Sequence, residues 1–206
     1  MSLYYPVFLL LIAQLNLESK WALIKDKNGI KVYTADSGKS NVKKVKVISV
    51  FKGSIREFLQ IIRDVDNQTN WVYGAKRAYI LKKKSANDIF YYVETDLPWP
   101  VSNRDVAIHM EIEENLAERA LKITSVDSPN ALGENRGIVR VQDFEAIWNV
   151  KAVDAGNIKI DYELYLNPGG NLPGAIVNRF ITKGPYETFS NLAALLRDKY
   201  KQEKEN

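Results

Sequence analysis

The sequence has no cysteine and a single histidine, His109. The first absence removes disulfides, thiolate metal sites and cysteine nucleophiles together. It leaves the compartment open, because Cys-free proteins occur in reducing and oxidising surroundings alike. The second makes any Ser-His-Asp triad depend on one residue. On the strand predicted around it, Val106, Ile108, Met110 and Ile112 share one face, while Ala107, His109, Glu111 and Glu113 share the other. His109 is therefore expected to face solvent, where it serves no triad. One histidine without cysteine also argues against a zinc centre. No catalytic residue, metal or cofactor is predicted. Gly169-Gly170 lacks the Lys-Ser/Thr and the strand–loop–helix setting of a phosphate loop. Glu111, Glu113 and Glu114 read as a wetted strand face rather than a working carboxylate pair.

Charge imbalance is also small. The net charge is +4 over 206 residues, and there is no RNP-like run, zinc-finger spacing or arginine-rich tract. No nucleic-acid partner is expected. Lys82–Lys84 and the group Lys43, Lys44 and Lys46 read as solvated strand ends or, alternatively, as a foot on an anionic lipid surface. Long hydrophobic runs are confined to residues 3–17, LYYPVFLLLIAQLNL. That run is short for a bilayer span, no Lys or Arg precedes it, and no Ala-x-Ala site follows. Residues 1–20 are expected to be an apolar helix docked on the domain, which would suit a cytoplasmic protein. The alternative is a signal-like segment, which would suit an exported or periplasmic one. Residues 21–206 form one expected domain, long enough to bury a sizeable core.

Within that domain, Asp26-Lys27-Asn28-Gly29 is a turn between two short apolar runs, so 21–25 and 30–35 form a predicted hairpin. A strand over 42–51 follows. Ser54-Ile55-Arg56-Glu57 then has the form of a capping box opening a helix to about Arg63. A short helical turn carries Asn70 and Trp71. From Ala75 the period is two, with strands predicted over 75–84, 88–97, 102–115, 120–125, 138–152 and 158–166. After Asn167-Pro168-Gly169-Gly170 the period becomes helical: Val177, Ile181, Gly184, Thr188, Leu192 and Leu195 fall on one stripe, with Gly184-Pro185 as an expected kink. The predicted class is α+β, a curved antiparallel sheet wrapped around a long C-terminal helix. A buried sheet face and a helix stripe fit a plain filled core as well as a cavity.

Three blocks stand out in order: PWPVSNRD at 98–105, GIVRV at 137–141 and NPGGNLPGAIVNRF at 167–180. Together they resemble START domains, the steroidogenic-acute-regulatory-related lipid-transfer family, over roughly Trp21 to Tyr200. The resemblance implies a helix-grip fold whose sheet and terminal helix enclose an apolar tunnel for one lipid or sterol-like molecule, to be transferred or sensed. It also implies a gate formed by the loop 127–136 together with the C-terminal helix. The chain is expected to be a monomer whose partner is that hydrophobic molecule, with a membrane surface as a transient second partner. The alternative is an enzyme of the wider START-like superfamily, of the aromatase/cyclase type.

On this reading the ligand-binding residues are Phe90, Tyr92 and Glu94 on one strand and Val106, Ile108 and Met110 on the next. Phe144, Trp148, Tyr162 and Leu164 follow on later strands, and Val177, Ile181, Thr188 and Leu192 on the helix. The sequence departs from the family in one respect. Glu94 sits where members often hold an inward acid, but the register of its usual basic partner is apolar here, leaving Arg104 as the expected partner. Without a cation on that register, the expected ligand is neutral and free of phosphate.

Overall fold

A computed structural model describes residues 20–170, 172, 176, 177, 180, 181 and 183–205. The apolar run at 3–17, and with it the docked-helix reading, lies outside the described residues.

The DKNG turn forms as expected. Asn28 and Gly29 both adopt positive φ (54° and 74°), the geometry that lets a two-residue loop follow the strand twist. It joins β1 (Ala22–Lys27) to β2 (Ile30–Asp36), which pairs with β3 (Lys43–Lys52). The capping box opens α1 (Ile55–Arg63): the Ser54 side chain accepts from the Glu57 amide, and the Glu57 carboxylate accepts from the Ser54 amide. Loss of an N-cap side chain costs about 1 kcal/mol. Ser54→Ala is therefore expected to lower the unfolding free energy by about that much, read from the urea midpoint at unchanged slope.

A 3-10 turn (Val65–Asn70) leads to β4 (Ala75–Ser85), β5 (Asp88–Thr95), β6 (Arg104–Asn115) and β7 (Ala120–Asp127). The expected strand over 138–152 is two elements. β8 (Val139–Arg140) runs parallel to β6, whereas β9 (Gln142–Ala152) pairs antiparallel with β7 and with β10 (Asn157–Asn167). Val141 separates the two, and Asp143, with φ of +64°, bulges out of β9 just after its start. One sheet results, in the order β1-β2-β3-β10-β9-β7-β6-β5-β4, with β8 alongside β6. Of its two edges, β4 is broken by three register shifts and carries exposed Lys76, Arg77, Lys82, Lys83 and Lys84. Charges and bulges of this kind discourage edge-to-edge pairing, which gives the lysine run a role at the strand itself.

The last helix, α2 (Gly184–Glu205), begins at the expected kink. Residues 176, 177, 180 and 181 are helical, and Lys183 is a turn. Gly184-Pro185 thus occupies the first turn of α2, where a proline loses no helical bond. Phe189, Leu192 and Leu196 of α2 are fully buried against Phe58, Val47 and Ile160 of α1 and the sheet. The architecture is α+β, a curved ten-stranded, almost wholly antiparallel sheet gripping a C-terminal helix, as the sequence implied.

Candidate functional site

Between the inner face of the sheet and the first turns of α2 lies a cavity of about 220 Å³. Its floor is built by alternation. Tyr91, Val93 and Thr95 come from β5, Val106, Ile108 and Met110 from β6, and Phe144, Ala146 and Trp148 from β9. Tyr162, Leu164 and Leu166 of β10 complete it. Pro185, Thr188 and Phe189 of α2 roof it, and Ile62 and Trp71 close one side. None of the described lining residues carries a charge. Bonds from the Tyr73 amide to Thr188 Oγ1 (3.0 Å) and from Asn191 Nδ2 to the Trp71 carbonyl (3.1 Å) tie the roof to the 3-10 turn. Two larger hollows, of about 560 and 850 Å³, open to solvent around the β6–β7 turn, the first bordered by α1, and neither is lined by α2.

Eight of the expected site residues meet around this space: Val106, Ile108, Met110, Phe144, Trp148, Tyr162, Leu164 and Thr188. The other six do not line it. Leu192 is buried in solid core, and Ile181 packs against that core. Val177 lies before α2, half-buried. Phe90, Tyr92 and Glu94 are on the opposite face of the sheet. Strand pairing sets Phe90 opposite His109, Tyr92 opposite Ala107 and Glu94 opposite Asp105, and directly opposed residues share a face. The inward residues of β5 are therefore Tyr91, Val93 and Thr95. Alternation could not show this, because Ile89 to Val93 is apolar on both faces.

The outer face of β5 and β6 is itself covered in part, and it carries Phe90, Tyr92 and Ala107 beside the buried acids Glu94 and Asp105. The Phe90 and His109 rings stack at 4.1 Å. His109 is half-buried, with Nε2 2.8 Å from Asp88 Oδ1, rather than freely solvated. Tyr92 receives a hydrogen bond on its hydroxyl from Asn135 of the 127–136 loop. Asn135 also donates to Asp105 (2.8 Å), and Arg140 donates to both Asp105 oxygens (2.7 and 3.2 Å) and to the carbonyls of Leu132 and Gly133. Burial by itself would raise the Asp105 carboxyl, but the bonds from Arg140 and Asn135 outweigh it and hold the group below its ordinary value. The expected gate loop is thus tied down over the outer face.

Glu94 has partners other than the expected Arg104. It accepts from Asn103 Nδ2 (2.7 Å), with Lys76 and Arg77 at 3.5 and 3.6 Å. Arg104 points inward, and its guanidinium is spent on main-chain carbonyls: Nε donates to Pro168, Nη1 to Ser102 and Nη2 to Gly169. Gly169 and Gly170 hold φ of +65° and +60° beneath it, a path open to residues without a Cβ. Asn103 Oδ1 meanwhile accepts from the Leu97 amide. The Asn103-Arg104-Asp105 triplet therefore joins all three blocks of the sequence signature. Asn103 fixes the proline corner, Arg104 the Asn-Pro-Gly-Gly turn, and Asp105 the Gly-Ile-Val-Arg-Val segment. Trp99, fenced by prolines on that corner, is not packed but 92% exposed.

A family model described as START domain matches residues 13–202. The chain is 28% identical over 176 residues to an uncharacterised protein of Pseudomonas aeruginosa, covering 85% of this chain and 86% of that one. It is 25% identical over 162 residues to the phosphatidylcholine transfer protein of Homo sapiens, covering 77% and 75%. Among solved structures, a STAR-related lipid transfer protein from Xanthomonas axonopodis superposes with a TM-score of 0.77 at 26% identity, covering 86% of this chain and 98% of that one. The named relatives are lipid-transfer proteins, not enzymes.

Proposed function

The chain belongs to the START domain family, and from that membership we propose that it binds one neutral hydrophobic molecule in the cavity under α2 and carries it as a monomer. The observation that carries the proposal is the lining. The space is walled by aromatic and aliphatic side chains and holds no cation among the described residues. A phosphate headgroup buried there would lack a counter-charge, a cost that burial of its tails does not return. Arg104, on the inward register of β6, already donates to three carbonyls. Sterol-like and other uncharged lipids fit the lining where the phospholipid of the Homo sapiens relative does not.

Small-molecule pockets usually measure about 300–1,000 Å³, more than the 220 Å³ enclosed here. Loading therefore requires the wall to give. The 127–136 loop is anchored, so the helical roof, held over the 3-10 turn by the Thr188 and Asn191 bonds, is the part that lifts.

Release to a membrane is the second half of the proposal. Trp99 projects from the corner that follows the cavity-lining end of β5. A Trp ring suits the membrane–water interface, with its apolar body in lipid and its N–H in water. Trp99→Ala is expected to weaken sedimentation with phosphatidylcholine vesicles several-fold while leaving thermal stability unchanged. Unaltered sedimentation would put membrane contact elsewhere.

Incubating the protein with a fluorescent neutral lipid and, separately, with a fluorescent phosphatidylcholine tests the ligand class. The proposal expects one equivalent of the first to be retained through gel filtration, and little of the second.

A further inference from the structure

β1 is a free edge of the sheet, paired only with β2. Its side chains are exposed at every position but one, and that one is a lysine. Leu23 and Ile24 face solvent, whereas Lys25 sits opposite Val32, a fully buried residue paired in turn with Val47 on the face that packs on α2. Directly opposed residues share a face, so the strand turns a cation toward the helix and its apolar residues away. The register shift between Leu23 and Lys25 sets that inversion. Lys25 Nζ lies 3.6 Å from the centre of the Tyr186 ring, well inside cation–π range. Asn28, in the hairpin turn, donates from Nδ2 to the Tyr186 hydroxyl (3.1 Å), tying together residues far apart in the chain. Tyr186 belongs to the first turn of α2 and is 8% exposed. It does not line the cavity, but its neighbours Pro185, Thr188 and Phe189 do. The hairpin thus grips the roof from outside the cavity.

The turn itself does not need the Asn28 amide, since Asp-Gly and Gly-Gly serve the same two-residue loop. Nor does the helix need the cation, because a positive charge beside a helix N-terminus opposes the macrodipole. Resting on the cavity reading above, we propose that Lys25 and Asn28 are positioning residues of the ligand site: through Tyr186 they latch the first turn of α2 over the cavity, and so set the rate at which an uncharged ligand enters and leaves. The bonds of Thr188 and Asn191 hold the same stretch of helix from the 3-10 turn. Lifting the roof requires one side to let go. The hairpin side yields more easily, since it hangs on an exposed edge strand. A latch of this kind acts on the barrier to opening, because the roof is closed both before and after loading. Loading and release then quicken together, and the affinity stays where it is.

The test compares the wild-type chain with Tyr186→Phe, which keeps the ring and removes the hydroxyl, and with Lys25→Met, which keeps the stem and removes the charge. Lys25→Arg restores a cation over the ring. The probes are dehydroergosterol and an NBD-labelled diacylglycerol, loaded from cyclodextrin and released into excess cyclodextrin under stopped flow. For whichever probe the wild type retains, Tyr186→Phe is expected to raise both loading and release rates by about fivefold, the worth of one net hydrogen bond. Lys25→Met is expected to raise both by about twofold to fivefold, and Lys25→Arg to keep the wild-type rates. Dissociation constants are expected to stay within about twofold throughout. Ser54→Ala, which lowers global stability at a separate helix cap, is expected to leave both rates unchanged. Wild-type rates in Tyr186→Phe and Lys25→Met would overturn the latch and leave the cavity reading standing. Equal acceleration in Ser54→Ala would overturn it too, as general loosening. Release that quickens while loading does not would mean that the two residues hold the ligand rather than the roof, and would also overturn it. Failure of the wild type to retain either probe would overturn the latch together with the cavity reading.

Discussion

Asp105→Ala is expected to lower the unfolding free energy by about 3–5 kcal/mol, the loss seen when one partner of a buried ion pair is removed. Asp105 is 1% exposed and takes the guanidinium of Arg140, itself little exposed, on both oxygens. Alanine strands that cation and also frees Asn135, so the 127–136 loop loses its side-chain tie to β6 and keeps the backbone bond from Ser128 to Ala107. Asp105→Asn is expected to cost less, because the amide oxygen still accepts from Arg140. The pair also has a pH signature. The Asp105 carboxyl is held below its ordinary value in the fold, so its contribution is fully present above the unfolded carboxylate range, near pH 3.9. It is lost as pH falls below that range through the lower folded-state value. Chemical denaturation of wild type and Asp105→Ala at pH 7 and at about pH 2–3 checks both parts, since the gap between the two proteins narrows in acid. A gap that is small at pH 7, or that stays constant into acid, removes the pair from the account of stability.

Ala146→Phe is expected to abolish ligand loading, with at least a tenfold loss of affinity for a fluorescent neutral lipid, while the fold survives. Ala146 is buried on β9, where it lines the cavity between Ser125 of β7 and Leu164 of β10. A phenyl group there projects into a space of about 220 Å³ and occupies a large part of it. In a filled core the added ring would cost about 1–3 kcal/mol of stability through forced repacking. Where a void receives it, that cost shrinks, and better packing offsets some of it. The two readings of the inner sheet face therefore separate on one variant. A retained or raised melting temperature with lost loading marks a ligand cavity, whereas a marked drop in melting temperature marks a core already full.

Where one periodicity dominated, the sequence was legible. In β10, Ile158 and Ile160 alternate with Lys159 and Asp161, and the strand formed as expected. The Ser54–Glu57 spacing and the Asn28-Gly29 turn are local chemistry, and both formed as written. The face of β5 was not legible, because its register is set by pairing with β6 across an eight-residue connection. Its outer face, partly covered by the 127–136 loop, carries Phe90 and Tyr92, so apolar residues alone do not mark the inner face. The role of Arg104 was hidden for a different reason. Its partners are backbone carbonyls of Ser102, Pro168 and Gly169, which any residue supplies and which therefore leave no side-chain signal. The break between β8 and β9 rests on the geometry of Val141 to Asp143 and on a parallel pairing that alternation does not distinguish. Of the cavity, the β6, β9 and β10 walls could be read from alternation, whereas Trp71 and the side wall depend on how the 3-10 turn docks on α2.

The central claim is that the space between sheet and α2 holds one uncharged hydrophobic molecule. Native mass spectrometry of the purified wild-type chain beside Ala146→Phe, followed by organic extraction of both, tests it most directly. The account predicts a single neutral adduct on the wild type, at one per chain, that is missing from the variant. A wild-type chain that stays free of any adduct after incubation with neutral lipids, or that carries the same adduct as Ala146→Phe, would contradict it.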